Sequence, residues 1–373
     1  MDFERSARDA DQAIAFYAPL KSPDDPVPSG ERTIARLLML ALSRAGFNVQ
    51  VMSNLRSLDM KGDPAFQGAC FDAAMRERDR IIQTLTEGGT ARRPHLWCTY
   101  HNYYKAPDLI GPAIADALNI PYVVVEGTRA KKRLNGPWAR FAEATEQGLD
   151  RADLIYSFTD HDEQALRVHQ PEGQLLKRLS PLIDQSGITP RMGPPSQPFQ
   201  ILTVAMMRHG AKRASYDALV PIARMLSPGI YQWTIVGDGP ARDDIEAAFA
   251  GMGLTVRFAG ACGDAAALRA IYRDHDVFVW PGIDEAIGMV YLEAQAHGLP
   301  TLAHDRIGPR SVLPPHGLFA PQTASEDIAT ELERLATDPQ YYAMRSDQAR
   351  FHVAQNHDID VAVTRLTEGF ALL

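Results

Sequence analysis

The sequence has few cysteines and no long hydrophobic run. Its three cysteines, Cys70, Cys98 and Cys262, are odd in number and widely spaced, so they form neither a metal-binding spacing nor a disulfide framework. This usage fits a reducing compartment, and we expect a cytoplasmic protein. No apolar segment approaches the roughly 20 residues that a membrane-spanning helix needs. The polar start, MDFERSARDADQ, lacks the apolar stretch of a secretory signal peptide.

An excess of basic residues and a dinucleotide-binding motif are also missing. Lys and Arg number 38 against 46 Asp and Glu, and the net charge of −8 argues against bulk nucleic-acid binding. No G-x-G-x-x-G follows the first predicted strand, which disfavours a nicotinamide dehydrogenase. A hydrophobic content of 45% over 373 residues is typical of a globular protein with two domains or one large one.

Short apolar runs alternate with amphipathic helical stretches along the whole chain. AIAFYAP, FNVQVMS, HLWCTYH, PYVVVEG and ADLIYSFT predict one set of strands, and the helix after the first strand has Ser29 as its N-cap and stops at Gly46. FQILTVAMM, YQWTIVGDG, LTVRFAG, DVFVWPG and PTLAH predict a second set. This alternation indicates parallel sheets with helices on both faces.

A proline-rich segment separates the two sets of strands. TPRMGPPSQP, residues 189–198, holds four prolines and one glycine, and such a composition predicts a stiff linker. We therefore expect an α/β protein with two doubly wound, Rossmann-like domains facing a central cleft. The predicted parts are residues 1–188, residues 189–340 and a helical segment, 341–373. Ligands of such sheets bind beyond the carboxyl ends of the strands.

Two glutamates flank the junction of a strand and a helix in WPGIDEAIGMVYLEAQAHGLP. Glu285 is predicted in the loop and Glu293 about two turns into the helix, roughly 12 Å apart if every step were helical. The N–H groups of Ile287, Gly288 and Met289 lie between them, and a helix N-terminus binds anions. A carboxylate that accepts hydrogen bonds, an anion-binding helix N-terminus and a second carboxylate, in that order, would suit the hydroxyls and the diphosphate of a sugar nucleotide. The alternative is two solvated acidic side chains.

Cations and glycines follow two other predicted strands of the second set. Arg208 and Lys212 come just after FQILTVAMM, where they would hold a diphosphate, and the alternative is a solvated basic loop. Arg213, one position after Lys212, is less suited to hold the diphosphate. In IVGDGP, Gly237, Asp238 and Gly239 would let the backbone turn tightly and approach a ligand. A plain β-turn is the alternative there.

The first set of strands offers fewer candidates. Gly30 begins the first predicted helix, where a phosphate can approach, and the loop LKSPDDPVPSG before it would be a mobile lid. An ordinary capped helix start explains Gly30 equally well. His101 and Glu126 end two strands, where they would contact a substrate or lie at the surface.

A basic stretch without acidic residues follows PYVVVEG. RAKKRLNGPWAR contains Arg129, Lys131, Lys132, Arg133 and Arg140 beside Trp138, and would bind an anionic acceptor or a phospholipid surface. A solvated face is the alternative. A peripheral contact at the inner face of the cell membrane would use the first four of these basic residues.

DEAIGMVYLEAQAHGLPTLAHDRIGPRSVL resembles the E-x7-E motif of the retaining glycosyltransferases of family 4, which have the GT-B fold. VAMMRHGAKRASY resembles that family's arginine-and-lysine phosphate motif, and IVGDGP its glycine turn. The resemblance implies metal-independent transfer from a UDP- or GDP-linked sugar to a hydroxyl acceptor, glycan or lipid-linked, without a further cofactor. It also implies a role in polysaccharide or glycoconjugate synthesis, and a C-terminal helix that crosses back to the first domain.

The resemblance also implies roles for single residues. Glu285 would bind hydroxyls of the transferred sugar, Glu293 the ribose, Arg208 and Lys212 the diphosphate, and Gly30 the phosphates from the first domain. Many relatives carry a histidine where this chain has Glu126, so either Glu126 or His101 would take that role.

Two other functions stay open at the level of sequence. A sugar-nucleotide epimerase of the same architecture would release product without an acceptor. A non-catalytic sugar-nucleotide-binding protein would bind the donor without turnover.

Overall fold

The computed structural model describes residues 12–27, 29–87 and 93–373. The polar start, which was predicted not to be a signal peptide, lies outside these residues except for Gln12. The chain forms two units, one of Met1–Leu182 with Ile359–Leu373 and the other of Ile183–Asp358.

These limits differ from the boundaries predicted at residues 189 and 341. The proline-rich segment belongs to the second unit because Arg191 forms an ion pair with the buried carboxylate of Asp276 and its N–H donates to His297 O at 2.7 Å. The helical segment after residue 340 is divided between the units. Tyr342 packs on Phe199 of the second unit, at 6.3 Å between ring centroids.

The first unit contains a six-stranded parallel sheet. Its strands run in the order β2-β1-β3-β4-β5-β6, so the order reverses between β1 and β3. The strands are β1 (Ala13–Tyr17), β2 (Asn48–Ser53), β3 (Leu96–Asn102), β4 (Tyr122–Gly127), β5 (Leu154–Ser157) and β6 (Leu175–Arg178). The helices are α1 (Gly30–Arg44), α2 (Pro64–Glu87), α3 (Gly111–Leu118), α4 (Ala139–Arg151) and α5 (Asp160–Val168).

Burial explains which segments form the centre of this sheet. The apolar runs of β1, β4 and β5 are buried along their whole length, as strands covered on both faces require. In β2, at the edge, only the last residue, Ser53, is buried, and the first four alternate between exposed and half-buried. The predicted N-cap of α1 is confirmed, since the Ser29 hydroxyl accepts from Arg32 N at 3.2 Å. Gly46 follows the end of this helix with φ 98°.

The second unit contains another six-stranded parallel sheet, ordered β12-β11-β10-β7-β8-β9. The strands are β7 (Phe199–Val204), β8 (Tyr231–Val236), β9 (Thr255–Gly260), β10 (Val277–Val279), β11 (Thr301–His304) and β12 (Leu318–Phe319). The helices are α6 (Ala211–Met225), α7 (Arg242–Phe249), α8 (Ala265–Arg273), α9 (Met289–Ala296), α10 (Ile307–Arg310), α11 (Ala324–Thr337) and α12 (Pro339–Asn356). The last helix, α13 (Ile359–Phe370), belongs to the first unit.

The predicted α/β class with two doubly wound sheets is confirmed. In the second unit the first strand, β7, lies beside β8 on one side and β10 on the other, which places the topological switch between β7 and β10. Ligands of such sheets bind at the carboxyl ends of the two strands at the switch. In the described part of the chain, no helix combines the length and the apolar character needed to cross a membrane.

Candidate functional site

Lys212 and Glu285 meet at the switch point of the second sheet. Lys212 lies in the first turn of α6, which follows β7, and Glu285 lies in the loop after β10; their ammonium and carboxylate form an ion pair. The indole N–H of Trp280 donates to the same Glu285 oxygen at 3.2 Å. Lys212 Nζ is also 5.4 Å from the centroid of the Trp280 ring. Lys212, which lies 73 positions before Glu285 in the sequence, and Trp280 thus hold one carboxylate in place.

Close packing fixes the loop that carries Glu285. Gly288 has φ 79°, and a Cβ at this position would lie 2.5 Å from the Tyr291 ring. A Cβ on Gly308 would lie 1.9 Å from Glu285 O. Ile283 N donates to the buried hydroxyl of Ser215 on α6 at 2.9 Å. These contacts leave room only for glycine at two positions and hold Glu285 beside α6.

Helix α9 begins at Met289 and presents its N-terminus next to this loop. The first N–H groups of an α-helix have no acceptor within the helix, so they can bind an anion. Glu293 is the fifth residue of α9, little more than one turn from its start, so the predicted depth of two turns is wrong. Its carboxylate accepts from Tyr272 OH at 2.8 Å, and burial raises the pKa of Glu293.

Arg208 lies between β7 and α6, in the predicted position after the strand. Its side chain is exposed and makes no hydrogen bond or ion pair within the described ranges. An unpaired guanidinium in the segment that leads to Lys212 remains available for an anionic ligand.

The glycines of the turn after β8 pack against the chain itself. Gly237 and Gly239 both have φ 151°, and added Cβ atoms would lie 1.9 Å from Ala205 O and 2.4 Å from Met207 O. The two glycines therefore let this turn approach the segment after β7. Asp238 is at its exposed tip, where its carboxylate accepts from Gly239 N at 2.8 Å.

A second group of polar side chains lies at the switch point of the first sheet. His101 and Glu126 occupy neighbouring positions on β3 and β4, between the paired residues Tyr100–Val125 and Asn102–Gly127. Both have left-handed backbones, with φ 62° and 63°, which are unfavourable for residues with a Cβ. His101 Nδ1 lies 2.9 Å from Glu31 Oε2 and 3.9 Å from Glu126 Oε2.

Charge and burial change the protonation of this group. Burial opposes protonation of His101, but the carboxylates of Glu126 and Glu31 outweigh it and raise the pKa of His101 to about 9. Burial raises the pKa of Glu126, and His101 only partly offsets this increase. Glu126 is 8% exposed, and its Oε2 has no hydrogen-bond partner in the described part of the chain. A buried acceptor without a donor is available for a hydroxyl of a ligand.

Glu31, His101 and Glu126 also form a set of three groups close enough to hold a metal ion, with ligand atoms all within 4.8 Å of one another. A pKa of about 9 means that the His101 imidazole carries a proton on both nitrogens at neutral pH. Metal binding at this imidazole would therefore require the loss of a proton. The prediction that no metal is needed stays a prediction.

Gly30 is the first residue of α1, and a Cβ there would meet no atom within 4 Å. The open space in front of it leaves the predicted approach of a phosphate possible. Two arginines of α1 bind carbonyl oxygens of the preceding loop: Arg36 Nε donates to Pro23 O at 2.7 Å, and Arg32 Nη1 donates to Asp25 O at 2.8 Å. Helix α1 therefore anchors part of the segment that was predicted to be a lid.

The structure contradicts one residue of the predicted membrane contact. The side chain of Arg129 is 1% exposed and forms ion pairs of 2.6 Å with both Glu146 and Asp150. Its position at the end of β4 directs it into the first unit, so it cannot contact a lipid surface. Lys131 and Lys132 remain exposed, and Lys131 Nζ lies 3.7 Å from Glu146 Oε2. Arg133 is only half-buried as a residue, but its Nε is buried, which leaves the two lysines as the exposed part of the predicted contact.

Comparisons with known proteins find similarity to glycosyltransferases. Residues 198–338 match the family model described as "Glycosyl transferases group 1". The chain is 27% identical over 311 residues to D-inositol 3-phosphate glycosyltransferase of Streptomyces bingchenggensis, covering 75% of this chain and 67% of that protein. It is 31% identical over 182 residues to a GDP-mannose-dependent α-mannosyltransferase of Mycobacterium tuberculosis, covering 48% and 45%. The matched part is thus about two thirds of the first relative and less than half of the second.

Solved structures share the fold at low sequence identity. Anabaena HepE in complex with UDP and glucose has a TM-score of 0.68 at 16% identity, covering 97% of this chain and all of that chain. Sucrose-phosphate synthase of Thermosynechococcus elongatus has a TM-score of 0.66 at 16% identity, covering 96% and 98%.

Two doubly wound parallel sheets and the likeness to these solved structures show the GT-B fold. Residues 198–338 thus match the group 1 glycosyltransferases, and the chain is similar to enzymes of the family 4 type.

Proposed function

We propose that this protein transfers a sugar from a nucleotide-diphosphate donor to a hydroxyl acceptor, with retention of the anomeric configuration. The observation that carries the proposal is the Lys212–Glu285 ion pair at the switch point beside the N-terminus of α9. An ammonium and free helix N–H groups suit a diphosphate, and the neighbouring carboxylate suits sugar hydroxyls.

Each polar group of the second unit would have one task. Lys212 exchanges its carboxylate partner for diphosphate oxygens, and Arg208 adds a second cation. Glu285, still held by Trp280, accepts hydrogen bonds from the transferred sugar. Glu293 accepts one from the ribose while Tyr272 holds its other side.

The proposed reaction occurs on one face of the sugar. The acceptor oxygen forms a bond to the anomeric carbon on the side from which the diphosphate leaves, the carbon–oxygen bond to the diphosphate breaks, and a donor phosphate oxygen takes the acceptor proton. Lys212, Arg208 and the N-terminus of α9 stabilise the charge that develops on the leaving group. No metal ion takes part in this scheme, so we expect transfer to persist in EDTA.

Two substitutions test the site. We expect Glu285→Gln and Lys212→Ala each to lower transfer at least about a hundredfold, since each removes a charge that contacts the transition state. Arg213→Gln is the matched control: it removes a neighbouring cation that pairs instead with Asp217, at 2.8 Å. Circular dichroism verifies the fold of every variant. Full transfer activity in either of the first two would refute the assignment.

Assays distinguish this proposal from the other two functions. An epimerase would convert the nucleotide sugar without any acceptor, and a binding protein would show a thermal shift without turnover. The relatives named above include a GDP-mannose-dependent enzyme, and one solved neighbour holds UDP, so the donor screen should contain both GDP-linked and UDP-linked sugars. The donor that raises the melting temperature most is then used in transfer assays.

The acceptor is proposed to be a glycan or a lipid-linked hydroxyl, as in polysaccharide or glycoconjugate synthesis. We place the protein in the cytoplasm, with a peripheral contact at the inner membrane face through Lys131 and Lys132. Both side chains are exposed, and each would contribute about 1 kcal/mol near an anionic surface.

A further inference from the structure

A continuous strip of aromatic rings leads away from the His101–Glu126 pair in the first unit. His101 lies 4.6 Å from Tyr103 between ring centroids, Tyr103 lies 5.6 Å from Tyr104, and Tyr104 lies 5.9 Å from Trp138. We call Tyr103, Tyr104 and Trp138 the aromatic strip. Its members come from the segments after β3 and β4, whose carboxyl ends are neighbours in the sheet.

Two cations lie over the same two rings of this strip. Lys105 Nζ is 5.7 Å from the centroid of Tyr104 and 5.8 Å from that of Trp138. The guanidinium carbon of Arg133 is 5.1 Å and 5.5 Å from the same centroids. Attraction to the rings places both cations there, while their mutual repulsion opposes it.

No carboxylate neutralises these cations among the residues that the structure describes. Neither Lys105 nor Arg133 forms an ion pair, and Arg133 Nε is buried without a hydrogen-bond partner. The nearby carboxylate of Asp59 is already occupied, since it accepts from three backbone N–H groups and from Gln67 Nε2 at 2.8 Å. An external anion would satisfy both positive groups.

Asp59 instead fixes the shape of the strip through its backbone. Its carbonyl accepts from the Trp138 indole N–H at 3.0 Å, and its N–H donates to Lys105 O at 2.8 Å. Because the indole N–H is bonded to the protein, Trp138 lacks the free polar edge that anchors a tryptophan at a membrane surface. The rings of the strip meet edge-to-face, at 75° between Tyr103 and Tyr104 and at 89° between Tyr104 and Trp138.

We propose that the aromatic strip, with Lys105 and Arg133, binds an acceptor that carries an anionic group, phosphate or carboxylate, on a sugar or polyol. The anion contacts the two cations, and the apolar face of the sugar or polyol packs on the rings. Hydroxyls of the same molecule reach the unpartnered oxygen of Glu126 beyond Tyr103. This inference rests on the proposed transferase function and names the chemical class of its acceptor.

The tryptophans of the chain offer a direct binding assay. Three of the four, Trp97, Trp233 and Trp280, are fully buried, whereas Trp138 is half-buried. Acrylamide quenching therefore reports mainly on Trp138. The probes are inorganic phosphate, glucose 6-phosphate, myo-inositol 1-phosphate and glucuronate, each sugar or polyol paired with its uncharged parent. We expect at least one charged probe to protect Trp138 from quenching, with an affinity at least about tenfold above that of its parent.

The double variant Lys105→Gln/Arg133→Gln is expected to bind the charged probe at least about tenfold more weakly than the wild type does. Its affinity for the uncharged parent should be unchanged. Arg140→Gln is the matched control, because Arg140 also lies over an aromatic ring, Phe71 at 4.0 Å, but outside the strip. This control should keep wild-type affinity. Equal affinities for charged and uncharged probes, or no binding of any charged probe, would overturn the proposal.

A vesicle assay separates an acceptor from a membrane. Cosedimentation with phosphatidylglycerol vesicles that depends on Lys105 and Arg133, without protection of Trp138 by any soluble probe, would assign the strip to a lipid surface and overturn the proposal. Nucleotide-induced thermal shifts are measured in parallel. Absence of a shift with every nucleotide sugar would count against the transferase function itself, whatever the acceptor probes show.

Discussion

Glu285 is held between Lys212 and Trp280, so the acid at the head of α9 has a fixed position before any ligand arrives. Trp280 is fully buried and stands edge-to-face on Tyr216, 5.0 Å away between centroids. A donor therefore needs to displace only one of the two partners, the more mobile ammonium. The carboxylate stays where sugar hydroxyls would meet it.

The first prediction concerns the loop that carries Glu285. Gly288→Ala should lower the free energy of unfolding by about 2–4 kcal/mol, because it combines an unfavourable left-handed backbone with a clash against Tyr291. Gly210→Ala is the matched control: φ is 78°, nearly the same, but no atom lies within 4 Å of the added Cβ. It should cost only about 1–2 kcal/mol. Urea denaturation measures both; equal losses would mean that the clash with Tyr291 is relieved without cost.

The second prediction is a loss of stability on the alkaline side. The pKa of His101 is raised from 6.5 to about 9, so its stabilising contribution is complete below about pH 6.5 and is lost as the pH rises through about 9. The raised pKa of Glu126 acts in the same direction, because its neutral form is favoured in the folded protein. Melting temperatures measured between about pH 6 and about pH 10 should fall more steeply in the wild type than in His101→Gln.

Glu126→Gln extends this test. It removes a carboxylate that raises the pKa of His101, so the fall in melting temperature should begin at a lower pH. Parallel melting profiles in all three proteins would show that the His101–Glu126 pair is not coupled to folding.

The third prediction concerns the basic stretch after β4. Arg129→Met should lower the free energy of unfolding by about 3–5 kcal/mol, because it leaves the buried carboxylate of Glu146 without its main partner. Lys131→Ala, with a side chain that is 47% exposed, should change it by less than about 1 kcal/mol. Binding to anionic vesicles should be weakened by Lys131→Ala and unchanged by Arg129→Met. Similar stability losses in the two variants would argue against a buried role for Arg129.

Strand positions could be predicted from the sequence because their signal is local. Apolar runs such as AIAFY and YVVVEG are bounded by turn residues, and the residues after them lie at strand ends in any parallel sheet. Glu285 and Lys212 lie after β10 and β7, where this signal predicts them, and Ser29 was predicted from the local signal of a helix N-cap. The helix α11 was overlooked although Ile328, Leu332 and Leu335 have helical spacing. The longer α2 has a weaker signal, because small residues such as Ala74 form part of its buried face.

Contacts between distant segments could not be predicted, because they depend on the order of strands. Nothing local to Glu31 indicates that β3 lies beside β1 and brings His101 to within 2.9 Å of it. Tyr272, the partner of Glu293, lies on α8, a helix that was not predicted from the sequence. Arg129 was assigned to the surface for the same reason, since its partners Glu146 and Asp150 follow on a separate helix.

A crystal structure with the nucleotide sugar that gives the largest thermal shift tests the central claim most directly. We predict that the diphosphate lies within hydrogen-bonding distance of Lys212 Nζ and of the N–H of Gly288 or Met289, with Glu285 on the sugar and Glu293 on the ribose. A nucleotide bound elsewhere in the second unit, with both glutamates free of it, would contradict the account.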